Sequence, residues 1–374
     1  MIVHVIDNLD RTSGGPPAVV SSLVATQAAR GHRVAVICAG SPGSFAETAI
    51  EHESWRSLGV ECIQVGPIRR TWRSQAIDRA LERTSPDLVH LHCVWDPVVA
   101  EVAARSRGVP LVLSTHGMLH PHALRLHRLR KWAYLRFHRR LFRKVNAFLA
   151  LNREEASYAH HILGVHAEAV PNGVDTEALA MVRERRQHKV RPVDRDPVLL
   201  NIGRLHEIKG LDRLIRAFAG YSRAGGRGRL VIAGPDAGAG VGLCKLARRL
   251  LPEGQVHFPG PAWGQDKLGL LTNCSAFAHA PRFEGFGIAV AEAIGAGIPT
   301  VTTNNCHLDG AREAGALIEV GDTDTALERG IRRVLEDETL RDSLSIQGFD
   351  WVRRNLGWES IADQTLAVYR KAMG

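Results

Sequence analysis

Residues 198–233 read VLLNIGRLHEIKGLDRLIRAFAGYSRAGGRGRLVIA. The apolar run Val198–Ile202 leads through a polar, glycine-bearing turn into the amphipathic stretch Leu211–Tyr221, and the run Leu230–Ala233 follows. Short apolar runs bounded by glycine read as buried strands, and the 3.6-residue periodicity between them reads as a helix. Such a strand–helix–strand unit builds a parallel sheet. The same alternation extends in both directions. Upstream strands are expected at Ile2–Ile6, Val34–Cys38, Cys62–Val65, Leu88–His92, Leu111–Ser114 and Phe148–Leu151. Downstream they are expected at Val256–Phe258, Ala276–His279, Pro299–Thr302 and Leu317–Val320. The pattern predicts an α/β protein of two Rossmann-like, doubly wound parallel-sheet domains facing across a cleft. Residues 1–171 form the first domain and 172–355 the second, with the boundary near Pro171-Asn-Gly-Val174. The polar segment Arg183–Pro197 reads as an exposed loop. Residues 356–374 read as a terminal helix packing back toward the first domain, anchored by Trp358, Ile361, Leu366 and Tyr369.

The composition agrees with this reading. A chain of 374 residues, 45% hydrophobic and 23% charged, is long and apolar enough for two cores without staples. Disordered, fibrous and disulfide-scaffold classes are excluded. The six cysteines show no CxxC spacing and point to a reduced, cytoplasmic compartment. Met1–Asp7 lacks the basic start of a signal peptide. The longest apolar stretch, Gly285–Thr303, is broken by Glu292 and Pro299 and reads as a buried element. The net charge of +9 is local, because twelve Lys and Arg and no acid lie between Glu101 and Glu154. Within that segment, residues 121–144 place Leu126, Leu129, Ala133, Phe137 and Leu141 on one helical stripe. Arg125, Arg128, Arg136, Arg139 and Arg143 lie on another arc, with Trp132 among them. That is a basic amphipathic helix, suited equally to an anionic membrane surface or to a core with a solvated back.

Ligands of open α/β sheets bind outside the carboxyl ends of the strands, so the strand-to-helix loops carry the candidate sites. After the first strand, Gly14 and Gly15 permit close backbone approach to an anion or sugar, and Pro16 and Pro17 suit a first helical turn. The spacing is not GxGxxG, which argues against a dinucleotide enzyme. His116 follows a strand and reads as a neutral, substrate-bonding histidine. His90 and His92 read as structural. A zinc site from these with His120 and His122 lacks a supporting carboxylate pattern. In the second domain Gly203, Arg204 and Lys209 form a cationic loop leading into a helix, the makings of a diphosphate clamp. Glu292 stands alone in an apolar helix with no adjacent Lys or Arg and needs a partner, for which a ribose diol is chemically matched. Glu284 precedes it in a turn whose Gly285, Phe286 and Gly287 amides can face phosphate or sugar oxygens.

Taken together, FEGFGIAVAEAIGAGIPTV with its Glu284-x7-Glu292 spacing, IGRLHEIKGLDRLIRAF, VPNGVD and STHGML resemble the family 4 retaining glycosyltransferases of GT-B fold. The resemblance runs along essentially the whole chain. It implies transfer of a sugar from a nucleotide-diphosphate donor with no metal and no resident cofactor, to a glycan or lipid-linked acceptor. Arg204 and Lys209 would hold the diphosphate, Glu292 the ribose, and Glu284 the donor-sugar hydroxyls, with the Phe286 and Gly287 amides alongside. His116 would lie by the donor sugar, Gly15 near phosphate or sugar, and the His257–Gly260 segment, with Phe258, near the base. Cleaving a glycosyl–phosphate bond builds negative charge on the diphosphate, and fixed cations aimed there lower the barrier. A nucleotide-sugar epimerase of the same fold is the nearest rival. A nucleic-acid binder, suggested by the basic segment alone, lacks any recognised module.

Overall fold

A computed structural model describes residues 1–10, 15–40, 54–66, 74–125, 127–188 and 196–374. The chain divides into two compact units, Met1–Gly173 with Trp358–Gly374, and Val174–Gly357. The first unit holds a parallel sheet of β1 (Ile2–Ile6), β2 (Val34–Cys38), β3 (Glu61–Gln64), β4 (Leu88–His92), β5 (Leu111–Ser114), β6 (Ala147–Ala150) and β7 (Ala167–Ala169). Their order is β3-β2-β1-β4-β5-β6-β7. The short edge strand β7, Ala-Glu-Ala, has no apolar run and escapes a reading based on periodicity; pairing with Phe148–Ala150 makes it a strand. In the second unit β8 (Val198–Ile202), β9 (Arg229–Ala233), β10 (Val256–Gly260), β11 (Ala276–His279), β12 (Thr300–Thr303) and β13 (Ile318–Val320) take the order β10-β9-β8-β11-β12-β13.

Helices cover both faces of such sheets, so the central strands are near-continuous apolar runs and are wholly buried. The helix Leu211–Arg223 shows why the sequence was readable. Leu211, Leu214, Ile215 and Phe218 recur at helical spacing and are buried in a core with Leu199, Ile232 and Val301. The terminal helix Trp358–Met373 lays Leu366, Val368 and Tyr369 on Leu88, Val112 and Leu149 of the first unit's sheet. In each sheet the winding reverses beside the first strand, between β1 and β4 and between β8 and β11. Those two switch points are where ligands bind in this architecture.

Two expectations need correction. Arg183–Gln187 is not loop but the last turns of the helix Thr176–Gln187, which buries Leu179 and Val182. Its polar residues have tertiary work: the Arg186 guanidinium donates to the Leu271 and Cys274 carbonyls at 2.8 and 2.7 Å. Residues 189–195 lie outside the described chain. The basic segment is two helices, Pro121–Arg125 and Arg128–Phe142, separated by His127 at φ 55°. Of its apolar stripe only Leu141 packs on the core among the described residues, and Leu129, Ala133 and Phe137 are exposed. Leu129 and Phe137 are each 83% exposed, while Tyr134, Leu135, Leu141 and Phe142 face the core; Leu126 lies outside the described residues. Among the described residues no helix is long and apolar enough to cross a membrane.

Candidate functional site

In the second unit, the loop after β8 carries Gly203 and an exposed Arg204, then a turn of 3-10 helix, Glu207–Lys209. Gly210 ends that turn at φ 60°, where a Cβ would collide with the Ala280 carbonyl, so glycine alone lets this loop approach the one after β11. The approach brings charged side chains of the two loops together. The Lys209 ammonium donates to Glu284 Oε2. His279, at the end of β11, reaches the same oxygen at 3.1 Å. Asn201 on β8 donates through Nδ2 to the Ala278 carbonyl at 2.7 Å and to His279 Nδ1 at 3.2 Å. That fixes the proton of a neutral His279 on Nε2, aimed at the carboxylate. Burial lowers the His279 pKa. Burial also works to raise that of Glu284, but Lys209 and the His279 bond outweigh it and bring the carboxyl down to about 2. Both contacts use Oε2; Oε1 has no partner among the described residues.

The Glu284 loop is stapled to the Lys209 turn by Arg282. Its guanidinium grips Asp212 through two bonds, 2.8 and 2.9 Å, and donates to the Glu207 carbonyl at 2.7 Å. The Arg282 amide donates to the Ile208 carbonyl at 2.8 Å. Burial opposes the charge on Asp212, yet its bonds to Arg282 and Arg216 bring its pKa to about 2. Gly287, at φ 71°, starts the helix Ile288–Gly295; a Cβ there would meet Cys306 Sγ at 2.7 Å. The Phe286 ring is buried, and the Phe286 and Gly287 amides have no acceptor among the described residues. Gly285 lies in the turn between them and Glu284.

Glu292 has a cation after all. Lys267, from the helix Gly264–Asn273, meets its Oε1 at 2.6 Å. The expectation that no Lys or Arg was at hand looked only at sequence neighbours, and this one lies 25 residues away. The His257–Gly260 segment is the end of strand β10, and the half-buried Phe258 ring packs against the core. The structure therefore brings Lys209 and Glu284 together and leaves Glu292 on its own ion pair.

In the first unit Gly15 opens the helix Gly15–Ala29 with Pro16 and Pro17 in its first turn; Gly14 lies outside the described residues. His116, just past β5, sits in the left-handed region at φ 50°, beside Gly117 at φ 78°. A non-glycine residue held there marks local strain of the sort found at functional sites. A buried carboxylate holds this loop. Glu155 accepts from the Thr115 hydroxyl at 2.6 Å and the Leu151 amide at 2.8 Å, with the Gly117 and Leu119 amides also turned to it. Burial raises its pKa against those bonds. His116 Nε2 meets His92 Nδ1 at 2.9 Å. His90 and His92 share a buried face with His4, which pairs with His90 across β1 and β4. One ring nitrogen each from His4, His90 and His92 lies within 4.8 Å of the others, but His4 Nδ1 and His92 Nε2 already bond each other at 2.9 Å.

His279, Asn201, Arg282, Asp212, Lys267, Glu155 and His4 were not assigned from the sequence. His279 and His4 carried a legible signal, a polar ring inside an apolar strand. The others did not, since their partners come from distant elements.

The family pattern described as Glycosyl transferases group 1 matches residues 182–351, and that described as Glycosyltransferase Family 4 matches residues 13–178. The chain is 26% identical over 373 residues to the phosphatidyl-myo-inositol mannosyltransferase of Mycobacterium leprae, covering 95% of this chain and 92% of that protein. It is 27% identical over 129 residues to the O-antigen chain mannosyltransferase B of Escherichia coli, where the match spans 34% of this chain and only 33% of that protein. In fold it is similar to Anabaena Alr3699/HepE, solved in complex with UDP and glucose, with a TM-score of 0.75, 19% identity and 99% of each chain covered. The two Rossmann-like units are those of the GT-B architecture.

Proposed function

The chain belongs to the group 1, family 4 glycosyl transferases, and from that premise we propose that it moves a hexose from a uridine or guanosine diphosphate sugar to a glycan or lipid-linked acceptor. The transfer retains configuration, needs no metal, and serves the assembly of a cell-surface polysaccharide. The observation that carries this reading is the Lys209–Glu284 pair, with Arg204 in the same loop as Lys209, built from the loops that follow β8 and β11 on either side of a switch point. The mannosyltransferase relatives, and a structural neighbour holding UDP and glucose, support the donor class.

The chemistry follows from the groups present. As the glycosyl–phosphate bond breaks, negative charge collects on the leaving diphosphate. Arg204 and Lys209 meet it, and one such fixed donor is worth roughly 3 kcal/mol. An ammonium has three donors, so Lys209 keeps one on Glu284 and offers the others to phosphate. Glu284, anchored through Oε2, presents Oε1 to a donor-sugar hydroxyl. The Phe286 and Gly287 amides, with Gly203 and Gly285, let phosphate and sugar oxygens approach backbone. Glu292 keeps Lys267 on one oxygen and takes the ribose diol on the other. His116 supplies an uncharged acceptor to a sugar hydroxyl, and Gly15 admits close backbone contact. A donor phosphate oxygen takes the proton of the attacking acceptor hydroxyl.

The helix Arg128–Phe142 supports a peripheral, cytoplasmic place at an anionic membrane. Leu129 and Phe137, with Trp132 at 67% exposure, stand out among Arg128, Arg136 and Arg139. Exposed apolar rings set among cations are the features of an interfacial helix.

The test is a thermal-shift panel of UDP-, GDP- and ADP-sugars followed by product analysis in EDTA. A uridine or guanosine diphosphate sugar raises the melting temperature by mass action. Transfer persists with chelator and yields the retained anomer. No shift with any donor, or turnover abolished by EDTA, overturns the reading.

A further inference from the structure

The deepest polar groups of the first unit form one hydrogen-bonded chain that ends at His116. Gln27, on the helix Gly15–Ala29, is fully buried. Its Oε1 meets His4 Nε2 at 2.8 Å, and its Nε2 donates to the Tyr369 hydroxyl at 3.4 Å. His4 Nδ1 meets His92 Nε2 at 2.9 Å, and His92 Nδ1 meets His116 Nε2 at 2.9 Å. On a second arm the Tyr369 hydroxyl meets His90 Nδ1 at 2.6 Å, and His90 Nε2 meets Ser114 Oγ at 2.7 Å. No carboxylate, ammonium or guanidinium takes part in either arm.

A chain of neutral imidazoles has a direction. Each ring has one N–H donor and one bare nitrogen, so fixing one end fixes every proton. An amide oxygen only accepts, so His4 carries its proton on Nε2 and accepts at Nδ1. His92 must then donate from Nε2 and accept at Nδ1. His116 must donate from Nε2, which leaves Nδ1 bare, with no partner among the described residues. On the other arm Gln27 donates to the Tyr369 oxygen, Tyr369 donates to His90 Nδ1, and His90 donates to Ser114. Turning the Gln27 amide over would reverse every proton in both arms. A second proton on His4 or His92 would set N–H against N–H in a site without a counter-charge.

We propose that Gln27 is a positioning residue that, through His4 and His92, fixes His116 as its Nε2–H tautomer and so presents Nδ1 as an uncharged acceptor for a sugar hydroxyl. The part that concerns sugar rests on the reading of His116 in the proposed function; the tautomer does not. Burial, which holds His4 and His116 at about 4 and His90 and His92 well below the ordinary histidine value, keeps both arms neutral at physiological pH. The strained backbone at His116 fits a side chain whose direction is dictated from beneath.

The experiment is long-range proton–nitrogen NMR of the full-length protein with nitrogen-labelled histidine, which reports the tautomer of each ring, with His116→Asn used to assign the His116 signals. The wild-type protein shows His4, His92 and His116 all protonated on Nε2. A His116 ring protonated on Nδ1, an imidazolium at neutral pH, or metal-shifted nitrogens overturns the chain, and this readout needs no core variant to fold. Gln27→Leu mixes the His116 tautomers and lowers kcat/KM about tenfold. Tyr369→Phe takes a partner from His90 and from Gln27 Nε2 but leaves the Gln27 Oε1 bond to His4, so the His116 signals stay as they were. An unchanged His116 tautomer in Gln27→Leu overturns the role of Gln27. The expected tautomers with unaltered kinetics in Gln27→Leu overturn instead the contact between His116 and substrate.

Discussion

The two units place polar groups near a parallel sheet in opposite electrical ways. In the second unit the groups are ions, with Lys209 on Glu284 and Arg282 on Asp212. In the first the cluster beneath His116 is neutral, with His4, His90 and His92 joined to Gln27, Tyr369 and Ser114, and the nearby buried Glu155 carboxylate is held by four donors. Depth explains the difference. The Lys209 and Glu284 side chains are each 18% exposed, whereas His4 is at 0%. A charge sunk that far costs more than any single bond returns, so the deep site uses rings that can be satisfied uncharged. On the proposed reading the ions meet charge and the neutral chain transmits a direction.

The contrast can be broken at several points. The largest effect falls on the ionic side. If Lys209 meets the departing diphosphate as proposed, Lys209→Ala removes that cation and leaves Glu284 with His279 alone, so kcat falls roughly 100- to 1000-fold. Steady-state kinetics with a sugar nucleotide check this, and a rate near wild type removes Lys209 from the machinery.

Acid separates the units next. His4 and His116 are held at about 4 against an ordinary 6.5, and an unfolded chain takes up their protons first. The stability this confers on the first unit is complete above pH 6.5 and lost as pH falls from 6.5 to about 4, on the order of 3 kcal/mol for His4 alone. Glu284 and Asp212 are held at about 2 against 4.5 and 3.8, so their contribution to the second unit survives to about pH 4.5 and is lost below it. Hydrogen exchange resolved by segment therefore shows the first unit, with four such histidines among the described residues against His279 alone in the second, weakening more at the higher pH. Equal loss in both units between pH 6.5 and 4.5 would erase the distinction.

Smaller effects sharpen it. Arg282→Ala cuts the staple between the Glu284 loop and the Lys209 turn. Because the pair is about a third exposed, the loss in a urea melt is about 1–2 kcal/mol. Glu292→Gln keeps the shape but weakens the bond to Lys267 and, if Glu292 holds ribose as proposed, that grip too, so calorimetry with a nucleoside diphosphate shows roughly tenfold weaker binding. The smallest effect on folding is at the exposed helix, where Leu129→Ser with Phe137→Ser shifts stability by less than about 0.5 kcal/mol per site. The same double variant loses co-sedimentation with anionic vesicles; retained binding would reduce that helix to a solvated face.

How much was readable depends on the range of the contact involved. Arg204, Lys209 and Glu284 could be found because strand ends and glycine turns are local patterns, and the function of such turns follows from where they sit in an α/β sheet. The stripe of Leu129, Ala133 and Phe137 shows the limit. Its spacing is helical, but spacing does not say which side faces the core, and the ring contact of Trp95 with Tyr134 settled the opposite side. Tyr369 was legible as an apolar anchor; that its hydroxyl bonds His90 was not.

By itself the sequence determined the alternation of strand and helix, the two sheets and the loops in which the charged residues fall, since these follow from periods of a few residues that local backbone geometry imposes. Only the tertiary structure decided that Glu292 answers to Lys267, that Asp212 and Arg282 lock one loop to another, and that a glutamine 23 residues from His4 and a tyrosine 279 residues from His90 share one chain of protons. Hydrogen bonds and ion pairs act through distances of a few ångströms in space, and nothing in the spacing of residues along the chain records which of them folding will bring that close.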